Sequence, residues 1–214
     1  TALDLATSLG AEYADVRLVS EITNSASLKD GKLERAIPGQ QVGVTLRILA
    51  DGAWGVHSTS DINSLSDQIE STLKLAKAVG ARRSSKDLPV ELAEVPIIQD
   101  EIHWKSQKDV RNTDLETRIE MMTAIDIEAR DHEKVISTST GWSDEHIHTE
   151  LLSTEGMDRT WSFQRSLING MVTAREDSEV VSYRFRHGGE GGLEQIESAD
   201  LGQMGRDART SVLR

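Results

Sequence analysis

The sequence predicts an α+β fold of two helix–antiparallel meander–helix units, with mixed or antiparallel sheets covered by amphipathic helices, and three observations predict it. First, Val42, Val44, Leu46 and Ile48 alternate with Gly43, Thr45 and Arg47, the period of two of a half-buried strand. Asp51-Gly52 then supplies the positive-φ pair of a two-residue hairpin, so Ala53 to His57 returns as its partner. Second, Ile62, Leu65, Ile69, Leu73, Ala76 and Val79 recur at spacings of three and four, with Asp67, Glu70, Lys74 and Lys77 on the other side, and the oxygens of Ser58 to Asp61 stand ready to cap this helix. Third, the same order of elements recurs in outline after residue 112.

The remaining elements follow the same rules. Ala2 to Leu9 reads as a short helix stopped by Gly10. Ala14, Val16, Leu18, Ile22, Ala26 and Leu28 mark strand segments, turned by Lys29-Asp30-Gly31-Lys32 into a return strand over Leu33 to Ile37, which Pro38-Gly39 interrupts. Gly80 to Gln99, with Pro89 and Pro96, reads as an exposed connection. Asp114 to Arg130 is a second helix, capped by Thr113 or Asn112. Five strands follow over Val135–Trp142, Glu145–Ser153, Met157–Leu167, Met171–Glu176 and Val180–His187, with turns at Ser143-Asp144, Glu155-Gly156, Asn169-Gly170 and Asp177-Ser178. Gly188 to Gly192 breaks the sheet, and a helical segment from Leu193 to Leu213 is weakened in its middle by Gly202 and Gly205. The expected organisation is an N-terminal α+β unit over 1–80, a connection over 81–111 and a second α+β unit over 112–214. Both ends are read as cut, since Thr1 replaces an initiator Met and Arg214 lies within a helix that has no stop signal.

Composition removes several classes of function. A net charge of −12, from 36 acidic and 24 basic residues, opposes charge-driven contact with nucleic acid or an anionic membrane. The absence of cysteine removes thiolate nucleophiles, disulfides and Cys-ligated zinc. No apolar run approaches the ~20 residues that span a bilayer, and no signal-peptide order opens the chain, so a cytoplasmic location is expected.

Few motifs carry chemistry. His146, His148 and Glu150 alternate on one strand and would share a face, as a two-imidazole, one-carboxylate metal site requires; an exposed polar strand face is the favoured reading, since two histidines one residue apart lack the helical geometry of the familiar peptidase motif. His132-Glu133 has no second histidine at the required offset and reads as a polar helix end. Gly188 to Gly192 precedes a helix, where backbone amides can cradle phosphate, but it lacks a Walker lysine and reads better as a hinge. Arg82, Arg83 and Lys86 form a small basic patch that reads as solvated. No Gly-x-Ser-x-Gly elbow supports a hydrolase triad. Trp54, Trp104, Trp142 and Trp161 are assigned to the core or its edge by default, with base stacking or a peptide groove as the alternative.

The order and spacing of Val42-Gly43-Val44 through Ala53-Trp54-Gly55, Ser58-Thr59-Ser60-Asp61, Leu152-Ser153-Thr154-Glu155-Gly156 and Gly188-Gly189-Glu190-Gly191-Gly192-Leu193-Glu194 resemble the N-terminal part of the TldD/PmbA family, also called modulators of DNA gyrase. The resemblance implies a cytoplasmic metallopeptidase in which similar subunits form homo- or heterodimers around a peptide-binding cavity. It also implies that both units pack as one N-terminal region. In TldD-like members zinc sits on a His-Glu-x-x-x-His segment, which is absent here and is expected in a C-terminal part beyond Arg214. The expected role is therefore a non-catalytic region that shapes the peptide cavity and the dimer. No catalytic, cofactor-binding or metal residue is assigned, and no direct nucleic-acid or membrane contact is expected. The alternatives are a stand-alone interaction module with open sheet edges, or a metal-binding strand face at His146 and His148.

Overall fold

The computed structural model describes residues 2–84 and 88–214. Thr1 and Lys86, the third cation of the linker patch, lie outside them. Seven strands and the helices packed on them give the expected α+β class. The strands run β3-β2-β1-β5-β6-β4, with β7 also paired to β6. Their ranges are β1 Tyr13–Lys29, β2 Lys32–Ala50, β3 Ala53–Thr59, β4 Gln99–His103, β5 Val135–Ser153, β6 Asp158–Glu176 and β7 Glu179–Glu190. The chain forms two compact units, residues 1–20, 41–103 and 148–162 in unit 1, and residues 21–40, 104–147 and 163–214 in unit 2. Strands β1, β2, β5 and β6 each contribute a segment to both.

In unit 1, helices α1 (Ala2–Ser8) and α2 (Leu65–Gly80) join Ala14, Leu46, Ile48 and Ala50 in one core with Ala6, Ile69, Leu73 and Ala76. The predicted stripe on α2 is therefore narrower than its spacing suggested, since Ile62 and Val79 remain 44% and 45% exposed. The Asp51-Gly52 turn forms as expected, both residues having positive φ (51° and 64°). Asp61 accepts from the Asn63 amide at 3.1 Å and caps a single 3-10 turn that leads into α2. The connection is better tied than its composition implied. Arg83 Nη1 and the Val90 amide both donate to the Gly52 carbonyl, at 2.8 and 2.9 Å. It also contains β4, which pairs parallel with β6 and which the sequence reading left as irregular chain.

Unit 2 carries helices α3 (Leu115–Arg130), α4 (Glu194–Glu197) and α5 (Leu201–Val212), with a 3-10 turn over Val110–Asn112 ahead of α3. Met122, Ile125, Leu193 and Ile196 pack with Ala26, Leu28, Trp142 and Ile168. Gly205 serves the α3–α5 contact. A Cβ there would lie 2.3 Å from the Ile125 carbonyl oxygen, so the two helices approach as closely as only glycine allows. The break in the last helical segment falls at Ser198 to Asp200, where Asp200 caps α5 through the Gln203 amide at 2.8 Å. Likewise α3 is capped by Asp114, which accepts from Thr117 N at 2.7 Å, rather than by Thr113 or Asn112.

Two of the four expected turns in the second half do not exist, and five expected strands become three. Residues Ser143-Asp144 continue through β5 because the Asp144 side chain is consumed in the interior, as described below. Asn169-Gly170 continues through β6, where the Phe185 ring and the Ser139 carbonyl oxygen occupy the space a Cβ on Gly170 would need. Pro38-Gly39 is also strand. That part of β2 is unpaired by β3, whose register covers only Val44 to Ala50, and at a sheet edge the N–H groups that face away from the neighbouring strand make no ladder bond, which is where proline is tolerated.

Candidate functional site

Side chains on β5 in unit 2 alternate strictly. Thr138, Thr140, Trp142, Asp144 and His146 are buried on the side that carries the helices, and Ser137, Ser139, Gly141, Ser143 and Glu145 line the other side. The helix side is held by a polar network. Asp144, with its side chain fully buried, accepts from Arg118 Nε and Trp142 Nε1, both at 2.6 Å, and from Asn24 Nδ2 at 2.8 Å. Arg118 also donates Nη1 to the Thr113 carbonyl and Nη2 to the Val110 carbonyl. Asp126 accepts from Thr138 Oγ1 at 2.5 Å and Arg130 Nε at 2.6 Å. The buried charges of Asp144, Arg118 and Asp126 are thus paired and hydrogen-bonded, the condition for burying them at all.

The Gly188–Gly192 segment is a cradle after all, filled by the chain itself. Glu194 Oε1 accepts from the Gly192 amide and Oε2 from the Lys108 amide, both at 3.0 Å. Burial pushes the Glu194 carboxyl up, but the amides of Gly192, Glu194, Lys108 and Gln107 outweigh it and hold the group below its ordinary range. Neighbouring amides are also spent, Gly191 N on Gln164 O and Leu193 N on Lys108 O. A Cβ on Gly192 would lie 1.8 Å from the Lys108 carbonyl oxygen. Gly188 and Gly192 are thus explained by tight backbone approaches, to the Ser166 and Lys108 carbonyls, where the sequence favoured a hinge.

The helix-free side of unit 2 contains a recess of about 500 Å³ lined by Ser139, Asn169, Gly170, Met171, Arg184, Phe185 and Arg186. Register sets it. Asn169 pairs with Arg186 and Met171 with Arg184, so both guanidinium groups leave the sheet beside residues of β6 on the same face. Sequence reasoning missed these arginines because strand alternation alone does not say which face lacks helices.

In unit 1, the predicted histidine face is only partly assembled. His148 is half-exposed and its Nε2 lies 3.2 Å from Glu150 Oε1. His103, on β4, stacks on His148 with centroids 6.4 Å apart. Its Nδ1 meets Ser162 Oγ at 2.6 Å and its Nε2 meets Glu101 Oε1 at 2.5 Å. This is a serine–imidazole–carboxylate line, but Glu101 is 69% exposed, and water screens such a pair. His146 is buried within unit 2 and lies near Asp109. Among the described residues no group of three or more His, Cys, Asp or Glu side chains converges as a metal requires.

The tryptophans divide. Trp142 is core, Trp104 is 61% exposed, and the other two carry arginines in unit 1. Arg47 lies 5.2 Å above Trp54, which meets Tyr13 edge-on, and Arg17 lies 5.7 Å above Trp161. Arg47 also forks onto buried Asp15, with Nη2 to Oδ2 at 2.6 Å. Burial, reinforced by the Asp15 carboxylate, pushes the Tyr13 hydroxyl up to about 12.

Comparison with known proteins places this architecture. Residues 14–80 match the profile described as PmbA/TldA metallopeptidase domain 1, and residues 108–214 match that of the PmbA/TldA metallopeptidase central domain. The second match alone covers half of the chain, and this chain belongs to the PmbA/TldD metallopeptidase family. A metalloprotease of Methanothermobacter thermautotrophicus is 26% identical over 95% of this chain and 43% of its own length. One from Methanocaldococcus jannaschii is 25% identical over 95% and 44%. The chain thus spans less than half the length of these relatives. The fold is shared with a proposed modulator of a DNA gyrase from Thermotoga maritima (TM-score 0.75, 16% identity, 99% of this chain and 46% of that one). It is shared also with TldE from Thermococcus kodakarensis (TM-score 0.73, 14% identity, 99% and 46%). Among the described residues no helix is long and apolar enough to cross a membrane.

Proposed function

We propose that this chain is a non-catalytic region of a PmbA/TldD-type metallopeptidase, which acts in the cytoplasm as a homo- or heterodimer and whose zinc is held by a segment other than these residues. In this reading the chain supplies wall to a peptide-binding cavity, divided into a unit over 1–80, a connection over 81–111 and a unit over 112–214. The observation that carries it is the asymmetry of the unit 2 sheet, with helices on one face and, on the other, an open surface of serines, Asn169, Met171 and arginines around a recess. A folded domain covers apolar sheet faces and leaves polar ones wet, so a hydrogen-bonding face with a recess suits transient contact with an extended chain.

The test uses the 214-residue chain with added zinc and an unfolded peptide substrate. Binding without cleavage is expected; robust, chelator-sensitive hydrolysis by the chain alone would sink the reading. Light scattering of the purified chain tests the subunit association. The alternative of an interaction module draws on β7, which exposes Val180, Val181 and Tyr183 by 52%, 51% and 40%. That reading predicts capture of a folded partner rather than of an unfolded peptide.

A further inference from the structure

Arg184 and Arg186 differ from most other guanidinium groups of the chain. Arg47, Arg111, Arg118, Arg130, Arg159, Arg165, Arg206 and Arg209 each have a carboxylate within ion-pair distance. Arg184 and Arg186 have none among the described residues, although the chain carries 36 acidic residues against 24 basic ones. What sets these two apart from the other arginines without an ion pair is that they stand on one face of one strand and line one recess.

Their placement makes them one site. They are two apart on β7, so both project from the same face about 7 Å apart. That spacing matches alternate side chains of another extended strand, which repeat at the same interval. Both line the 500 Å³ recess, whose remaining walls are the polar Ser139 and Asn169 and the apolar Met171 and Phe185. A planar guanidinium forks onto a carboxylate with two parallel hydrogen bonds. Asn169 offers an amide donor and acceptor for a peptide backbone, and Met171 adapts its shape to whatever side chain lies between.

We propose that this recess selects acidic extended peptides, taking carboxylates at alternate positions on Arg184 and Arg186. The inference rests on the cavity-wall reading and names the substrate class for it. It concerns side-chain carboxylates, and a free C-terminal carboxylate is the competing source of the same chemistry.

The experiment is fluorescence anisotropy with dye-labelled, C-terminally amidated peptides of one length, alternating Glu-Ser, Gln-Ser or Lys-Ser, and a Gln-Ser peptide with a free C-terminus. The expected result is that the Glu-Ser peptide binds at least about tenfold tighter than the Gln-Ser amide, with the advantage shrinking as salt rises. The double variant R184Q/R186Q should erase that advantage while R175Q, on β6 outside the recess, keeps it. Arg184 and Arg186 are exposed, so thermal melting of the double variant should match the parent. Tightest binding by the free C-terminus peptide overturns the side-chain assignment. Equal binding of all four peptides overturns the inference and leaves the cavity wall standing; binding of none overturns both. Retention of the Glu-Ser preference in R184Q/R186Q also overturns it.

Discussion

Two Asp–Arg pairs in this protein do different work, one a two-pronged fork of Arg47 onto Asp15 and the other a single Nε bond from Arg118 to Asp144. In unit 1, Asp15 is buried but Arg47 is 48% exposed and lies against Trp54. In unit 2, Asp144 and Arg118 are 0% and 5% exposed, and every polar atom of the pair that the network uses points at a protein partner. Water can replace Arg47 at Asp15 in part; nothing can replace Arg118. The difference teaches that one pair adjusts a surface while the other fixes how β5 and α3 meet.

Breaking the buried pair gives the largest expected effect. Asp144→Ala leaves Arg118 charged without its carboxylate and should lower unfolding free energy by about 3–5 kcal/mol, read by urea denaturation. Replacing both partners with apolar residues should restore much of it; failure to do so would show that the network is needed for more than charge balance. Gly192→Ala places a methyl group against the Lys108 carbonyl and should cost roughly 1–3 kcal/mol, checked by the same assay. Asp15→Ala should cost only about 1 kcal/mol because solvent screens Arg47. A loss as large as that of Asp144→Ala would erase the distinction between the pairs.

Acid sharpens the comparison further. Asp30 is held below its ordinary 3.8 by the Thr138 amide, Asp109 by its fork onto Arg111, and Glu194 below 4.5 by its amides despite burial. Depressed folded-state values stabilise fully above the unfolded ones. Stability should therefore begin to fall as pH drops through about 4.5, and go on falling until the lowered values are passed. Glu194→Gln should flatten that slope, measured by melts across pH 3–6. Tyr13 works in the other direction. The raised hydroxyl should remain protonated as pH passes 10 and ionise near 12, so in a Tyr183→Phe background the tyrosinate absorbance should appear late, while stability begins to fall as pH passes 10 and goes on falling until about 12.

How much of this could be read beforehand depended on the range of the interaction responsible. Asp30-Gly31, Asp51-Gly52 and Asp177-Ser178 turn where local chemistry says they must, with Asp30, Asp51 and Asp177 at positive φ. Ser143-Asp144 and Asn169-Gly170 have the same composition as turns, yet they lie inside strands, because Asp144 finds Arg118 twenty-six residues away and Gly170 makes room for Phe185. No local window contains those partners. The family resemblance survived this, since it rests on motifs spread over the chain. The strand β4 escaped because five residues beside Pro96 pair in parallel with a strand far along the sequence. The histidine face was legible as alternation, but its main contact, His103, comes from that same missed strand.

The carboxylate seated in the amides after β7 has one more effect. Because Glu194 is tethered two residues from Gly192, it competes against any dissolved phosphate or sulfate at an effective concentration on the order of millimolar or more. A loop that looks like an anion receptor is thereby self-quenched, and it keeps its shape in buffers that would load an empty one.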